Sequence, residues 1–151
     1  TSTNQDWALI PIESNVKDKA APVFPPALPI LNTSVSRNDE IICIGHPFGL
    51  PVKVSNKGNV IRADRELEYF EASVGAFAGN SGSPIIDVRT NRVIGILIRG
   101  LGQISLSEDG KCIILDDVGL LFEGEECQKL YSINSALNRL RIEHSDTPVP
   151  I

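Results

Sequence analysis

Ala78-Gly79-Asn80-Ser81-Gly82-Ser83-Pro84 sets a serine between two glycines and closes on a proline. Gly79 and Gly82 allow backbone angles and close approaches that a side chain would forbid, while Pro84 ends such a turn and can open a strand. The strand signal follows at once. Pro84-Ile85-Ile86-Asp87 is apolar, Arg89-Thr90-Asn91 reads as a turn, and Val93 to Ile98 runs back as a β-branched segment suited to burial. The pattern predicts Ser81 on a loop feeding a rigid hairpin, with its hydroxyl exposed beside free backbone donors.

Gly79-Asn80-Ser81-Gly82-Ser83-Pro84 resembles the nucleophile motif of trypsin-like serine proteases, in the bacterial form related to glutamyl endopeptidases. The likeness begins at Asp6-Trp7-Ala8-Leu9-Ile10, similar to the segment that carries the triad aspartate. It continues through Gly45-His46-Pro47-Phe48-Gly49-Leu50 and the serine loop to Gly95-Ile96-Leu97-Ile98-Arg99-Gly100. It implies an all-β, chymotrypsin-like double β-barrel with a Ser-His-Asp triad in the cleft between the barrels. The Gly-x-Ser-x-Gly elbow of α/β-hydrolases does not fit, because Ser83 stands in the place of the second glycine.

A serine hydroxyl is a poor nucleophile until a base takes its proton, the base needs an orienting acid, and the oxyanion needs donors. By resemblance Ser81 is the nucleophile, Asp6 the orienting acid, and the backbone N–H groups of Gly79 and Ser81 the oxyanion hole. The same likeness walls the primary specificity pocket with Gly75 and Ala76 on one side and Ile98, Arg99 and Gly100 on the other. None of these is a carboxylate. A buried Lys or Arg of a substrate would go unpaired there, so cleavage is expected after an apolar residue if Arg99 turns to solvent, or after an acidic one if Arg99 turns into the pocket. The family places its histidine well before the aspartate, and the two histidines present, His46 and His144, match no catalytic position. Asn80 occupies a place where digestive relatives carry an aspartate that pairs with a newly cut N-terminal amine, an ion pair an amide cannot form. The expected function is that of a serine endopeptidase working through an acyl-enzyme, this chain being a fragment without the general base and almost inert alone. The alternative is a non-catalytic protease homologue that keeps the cleft and binds peptides or a partner protein.

At 151 residues the chain can bury one sizeable core, less than two barrels with all their loops require. It contains no methionine, and Thr1 stands just ahead of Asp6, so the expectation is the C-terminal portion of a longer or processed protein. Residues 1–20 would then be a remnant of the first barrel carrying Asp6, 21–30 a proline-rich connection, and 31–151 a complete second barrel with a short closing helix. A net charge of −5, with no cluster of Lys and Arg among aromatics, argues against nucleic acid. No apolar run approaches the length that crosses a bilayer. The partners expected are a protein or peptide substrate and the missing first-barrel segment, with no nucleic acid, no membrane and no cofactor.

Within the second barrel, strands are predicted at Ile41–Gly45, Val52–Ser55, Asn59–Arg62 and Tyr69–Ala72, with Asn56-Lys57-Gly58 as a hairpin turn. Beyond Gly100 the strand pattern gives way to a segment running through Glu108, Asp109, Asp116, Asp117, Glu123, Glu125 and Glu126. Its spacing fits no EF-hand, so a solvated loop and no metal are expected. Cys112 and Cys127 flank that segment, and a disulfide between them would stabilise the chain by about 3 kcal/mol. Cys43, inside an apolar strand, is expected to stay buried and reduced. Such a bridge would place the protein in an oxidising setting, secreted or periplasmic. From Leu130 a short strand-like piece leads to Asn134 as an N-cap and a helix over Ser135–Ile142, with Leu137 and Leu140 on one face.

Overall fold

The computed structural model describes residues 6–8, 28–31, 34–100, 104–115 and 124–133. Seven strands come from the body of the chain: β1 (Glu40–Gly45), β2 (Lys53–Val54), β3 (Gly58–Arg62), β4 (Tyr69–Ala72), β5 (Pro84–Asp87), β6 (Arg92–Arg99) and β9 (Glu125–Lys129). Between β6 and β9 lies a separate hairpin of β7 (Ile104–Leu106) and β8 (Ile113–Leu115). The main sheet runs β2-β1-β3-β4-β9-β6-β5, and β5 pairs back onto β1 through Ile41↔Asp87, Ile42↔Ile86 and Cys43↔Ile85. That last pairing closes β1, β3, β4, β9, β6 and β5 into an antiparallel barrel of six strands. Closure removes the free edges a sheet would otherwise expose.

The alternation of side chains across a strand sorts the core into two layers. Ile41, Cys43, Val60, Phe70, Ala72, Ile85, Leu97 and Cys127 fill the barrel interior, all 3% exposed or less. On the outer face, Ile86, Val93, Leu130 and Ile133 form a second cluster against Trp7, Ile42, Ile44 and Ile96. β1 and β6 therefore read as almost unbroken apolar runs, because both of their faces are covered. A register shift between Ile85 and Ile86 opposite β6 explains why Ile94 turns inward while Ile96, of the same parity, turns outward.

Several expectations are corrected here. No disulfide forms: Cys43 and Cys127 are buried free thiols and Cys112 is an exposed one. Cys127 lies in the middle of β9, inside the barrel, and not in a loop, so no oxidising compartment can be read from a bridge. The acidic segment is not one solvated loop, since Glu108 and Asp109 lie in the β7–β8 turn, β8 follows them, and β9 starts at Glu125. The piece after Leu130 is a 3-10 turn over Leu130–Ile133. β2 pairs with β1 and not with β3, so Asn56-Lys57-Gly58 is no hairpin turn. Gly58 opens β3 in tight contact with β4's successor, where a Cβ would strike the Ser73 carbonyl at 2.1 Å.

The proposed division at residues 20 and 30 and the helix over 135–142 fall almost wholly outside the described residues. Among the described residues no helix is long and apolar enough to cross a membrane, and no group of three or more His, Cys, Asp or Glu is placed to hold a metal.

Candidate active site

The serine loop is built by the barrel around it. Gly79 and Gly82 adopt φ of +93° and +86°, the left-handed region that a side chain disfavours, and they flank an exposed Ser81. Turn bonds fix the interior of the loop, from the Asn80 amide to the Phe77 carbonyl and from the Ser83 amide to the Asn80 carbonyl, both 2.9 Å. Its exit is stitched to β6: the Gly82 amide donates to the Leu97 carbonyl at 2.8 Å and the Leu97 amide to the Ser83 carbonyl at 2.9 Å. Its entry is held by the Phe48 amide, which donates to the Ala78 carbonyl at 2.7 Å, while the Phe48 and Phe77 rings stack. The amides of Gly79 and Ser81 donate to no backbone carbonyl among the described residues. They are the pair expected to serve as the oxyanion hole.

Asn80 and Ser83 turn down into the barrel, 4% and 9% exposed, against the end of β1. Gly45 makes this possible, because a Cβ there would fall 2.2 Å from Ser83 Oγ and 2.5 Å from Asn80 Oδ1. Asn80 Oδ1 has no hydrogen-bond partner among the described residues. An uncharged amide is tolerable in that place where an unpaired carboxylate would be costly. Burial pushes the Cys43 thiol up to about 11, a hydrogen bond with Ser83 opposing the shift, so it stays a neutral thiol at physiological pH.

Asp6 lies against the same strands. Its amide donates to Gln128 Oε1 at 3.2 Å, and Gln128 of β9 is paired with Ile96 of β6, one residue from the Leu97 that holds the serine loop. Both sequence-predicted catalytic residues are thus anchored on the middle of one β6–β9 ladder. Trp7 is half-buried on the outer apolar cluster, its indole Nε1 without a partner among the described residues. His46 is exposed at the mouth of the β1–β2 connection, its Nδ1 3.1 Å from the Leu50 carbonyl oxygen, and His144 lies outside the described residues.

Of the predicted pocket residues, Gly75 and Gly100 are exposed, Ala76 is buried and Ile98 half-buried. Arg99 turns away onto β9, its Nη2 2.6 Å and its Nε 2.8 Å from Glu126 Oε2, and that bond, reinforced by the carboxylate's charge, raises the guanidinium's pKa. A buried carboxylate lies beside one of the residues expected to wall the pocket. Glu125, paired with Ala72 and 1% exposed, lies so close under Gly100 that a Cβ on that glycine would fall onto its Oε2. Oε2 has no partner among the described residues, and burial raises the Glu125 carboxyl to about 7. Sequence reasoning missed this residue because β9 was read as loop; the glycine at position 124 and the alternation Glu125, Cys127, Lys129 are the signals that would have found it.

The model of a trypsin-like peptidase domain matches residues 1–96, well over half of the chain. The chain belongs to the trypsin-like peptidase family. The magnetosome formation protease MamE of Paramagnetospirillum magneticum (strain ATCC 700264 / AMB-1) is 31% identical in an alignment of 121 residues that covers 68% of this chain and 16% of MamE. Among solved structures, the active form of the Rv3671c protease from M. tuberculosis superposes with a TM-score of 0.53 at 16% identity, covering 84% of this chain and 51% of that one. An HtrA-type protease, AlgW, solved with a decapeptide gives a TM-score of 0.52 at 18% identity, covering 81% of this chain and 34% of that one. These likenesses agree with the closed six-stranded barrel in giving the all-β, chymotrypsin-like fold. The trypsin-like chain spans about half or less of the length of each of these three relatives.

Proposed function

We propose that this chain is the nucleophile-bearing part of a serine endopeptidase whose general base is contributed by a segment outside it. Ser81 Oγ attacks the scissile carbonyl carbon and gives its proton to that base, and the amides of Gly79 and Ser81 receive the negative charge on the carbonyl oxygen. The C–N bond breaks, the leaving amine takes the proton from the base, and water then hydrolyses the Ser81 ester to release the acid. Asp6 orients the base and stabilises its protonated form. The observation that carries this reading is the serine loop itself: Ser81 exposed between two left-handed glycines, with the Gly79 and Ser81 amides uncommitted to backbone carbonyls of the described residues. The substrate chain would lie along Gly75, Ala76 and Ile98 to Gly100, and the carboxylate of Glu125 beneath Gly100 now favours a cationic over an apolar side chain there.

The test is covalent labelling with a serine-directed fluorophosphonate. The longer protein that contains this chain is expected to label at Ser81 and to lose labelling in Ser81→Ala, while the 151-residue chain labels poorly. A longer protein that fails to label but binds peptides would favour the non-catalytic homologue, which the absence of a matching histidine in this chain keeps in play.

A further inference from the structure

We propose that Phe48 is a specificity-determining residue, whose ring receives an apolar side chain of the substrate on the leaving-group side of the scissile bond. The inference rests on the proteolytic reading of Ser81 and adds a second recognition point to it. Phe48 lies in the 3-10 turn Pro47–Gly49, just beyond β1. That turn walls the entry of the serine loop: the Phe48 amide donates to the Ala78 carbonyl at 2.7 Å, and a Cβ on Gly79 would lie 3.0 Å from the Phe48 nitrogen and 3.1 Å from the His46 carbonyl oxygen. The exit of the loop is held instead by Leu97 of β6, through Gly82 and Ser83. The acyl half of the substrate is assigned to the β6 side, along Gly75, Ala76 and Ile98 to Gly100. With the scissile carbonyl oxygen on the Gly79 and Ser81 amides, the leaving half then runs out past Gly79, over the turn that carries Phe48.

The backbone of Phe48 is a second, independent observation. Its φ of +55° and ψ of +23° fall in the left-handed region, which glycine and asparagine enter readily and a bulky residue does not. Such a conformation persists only where its surroundings over-determine it, and it gathers at active sites and ligand clamps. Here Pro47 is buried, the Leu50 amide donates to the Pro47 carbonyl at 2.9 Å, and the bond to Ala78 pins the turn against the serine loop. The strain does not serve to bury the ring. Phe48 stays 45% exposed, stacked on Phe77 with the ring centroids 6.1 Å apart. A ring so placed gains when an apolar group covers it, and the substrate passing Gly79 brings one within reach.

The composition of the turn narrows the side chain it takes. His46-Pro47-Phe48-Gly49-Leu50-Pro51 contains no acid, lysine or arginine, and Leu50, 50% exposed, offers further apolar surface in the same turn. An acidic side chain would find no cationic Lys or Arg of the turn to meet it and would lose hydration. An aromatic or branched aliphatic one, laid on the Phe48–Phe77 pair, should be favoured over serine by about ten-fold. Phe48 thus contacts the substrate without sharing in the breaking of the bond.

The test uses the longer protein and peptides that differ only at the first or second residue after the cut, carrying Phe, Leu, Ser or Glu there. At one of these two positions kcat/KM for Phe or Leu should exceed that for Ser by about ten-fold, with Glu no better than Ser. Phe48→Asn and Phe48→Gly remove the ring but suit the left-handed backbone, so the turn keeps its shape, and in both the ratio should fall to within about two-fold of one. Phe48→Tyr restores the ring and should restore the ratio. Equal turnover of the Phe, Leu and Ser peptides by the parent, or a preference that survives Phe48→Asn, overturns the assignment. Fluorophosphonate labelling of Ser81 separates this failure from failure of the proteolytic reading. A protein that labels yet shows no preference refutes the role of Phe48 alone. In one that does not label, the same ratios are expected in peptide affinities measured by fluorescence anisotropy, and their absence refutes that role as well.

Discussion

Gly45→Ala tests whether the end of β1 shapes the serine loop. The new Cβ would lie 2.2 Å from Ser83 Oγ, 2.5 Å from Asn80 Oδ1 and 3.1 Å from Ser83 Cβ, where non-bonded atoms need about 3.5 Å or more. Both neighbours are buried, so neither can swing into solvent. Rotating the Ser83 hydroxyl away breaks its bond with Cys43, and moving Asn80 drags the residue before Ser81. Overpacking of this kind costs about 1–3 kcal/mol. At about 2–4 °C per kcal/mol for a domain of this length, Tm should fall by roughly 2–12 °C. Because the displaced residues flank Ser81, a shift near 1 Å should also slow fluorophosphonate labelling of the longer protein by about a hundred-fold. Gly75→Ala is the stability control, since a Cβ there meets nothing within 4 Å. Melting by circular dichroism is the assay. A Gly45→Ala chain that melts within about 1 °C of the parent would refute the close packing of β1 under the loop.

Asn80→Asp should destabilise the chain by about 3 kcal/mol at pH 8, where the buried carboxylate has no cation to meet, and by clearly less at pH 5; equal denaturant midpoints at both pH values would show that position 80 is solvated. For Glu125, a folded-state pKa of about 7 against an unfolded 4.5 means that its contribution is fully favourable below pH 4.5 and is lost as pH rises towards 7. Glu125→Gln should therefore match the parent near pH 4.5 and gain on it steadily up to pH 8, and a difference in Tm that does not vary with pH would contradict the burial. Ellman's reagent at pH 7.5 should titrate Cys112 alone in the folded chain and all three thiols after unfolding, because burial holds the Cys43 and Cys127 thiols in their neutral form; immediate reaction of two or more would place a second thiol at the surface. If the proposed endopeptidase is assembled with its general base, a panel of peptides differing only at the residue before the cut should give best turnover with Lys or Arg, and unchanged preference in Glu125→Gln would exclude that carboxylate from substrate recognition.

The parts of the barrel that were legible share one property. β1, β4, β5 and β6 are short runs of Ile, Val, Phe and Tyr between turn residues, and Tyr69–Ala72 and Pro84–Asp87 fall at the predicted bounds. Local preference and burial agree in them, so a period or an apolar run suffices. β9 has the sequence Glu-Glu-Cys-Gln-Lys, and four of its five side chains end in a carboxylate, an amide or an ammonium group. It is nevertheless the strand that joins β4 to β6, and all its residues but Glu126 are buried. Its inward positions hold Glu125 at one end of the barrel, Cys127 in the middle and Lys129 at the other end. A six-stranded barrel is short enough for a five-residue strand to run from mouth to mouth, so polar ends around a small apolar centre satisfy the core without a hydrophobic pattern. That is also why the Cys112–Cys127 bridge was misread, since the same polar residues made Cys127 look like a loop cysteine.

The residues of the proposed catalytic loop obey the opposite logic. Ser81 and the glycines beside it were readable because the loop must hold unusual backbone angles, and only a narrow set of residues does that. The chemistry around them was less so, because it consists of what is left unpaired. Asn80 Oδ1, Glu125 Oε2 and Trp7 Nε1 are buried atoms without partners among the described residues, and all three adjoin the serine loop, the pocket wall or Asp6. Each such atom costs about 1–3 kcal/mol, which a barrel built for stability alone would avoid by substituting an apolar residue. Asn80 and Glu125 stand inside the barrel and Trp7 on its outer cluster, so the unpaired atoms mark no single surface, and each sits instead beside a residue of the proposed site. Sequence pattern records where a chain satisfies itself, and at these three positions it does not.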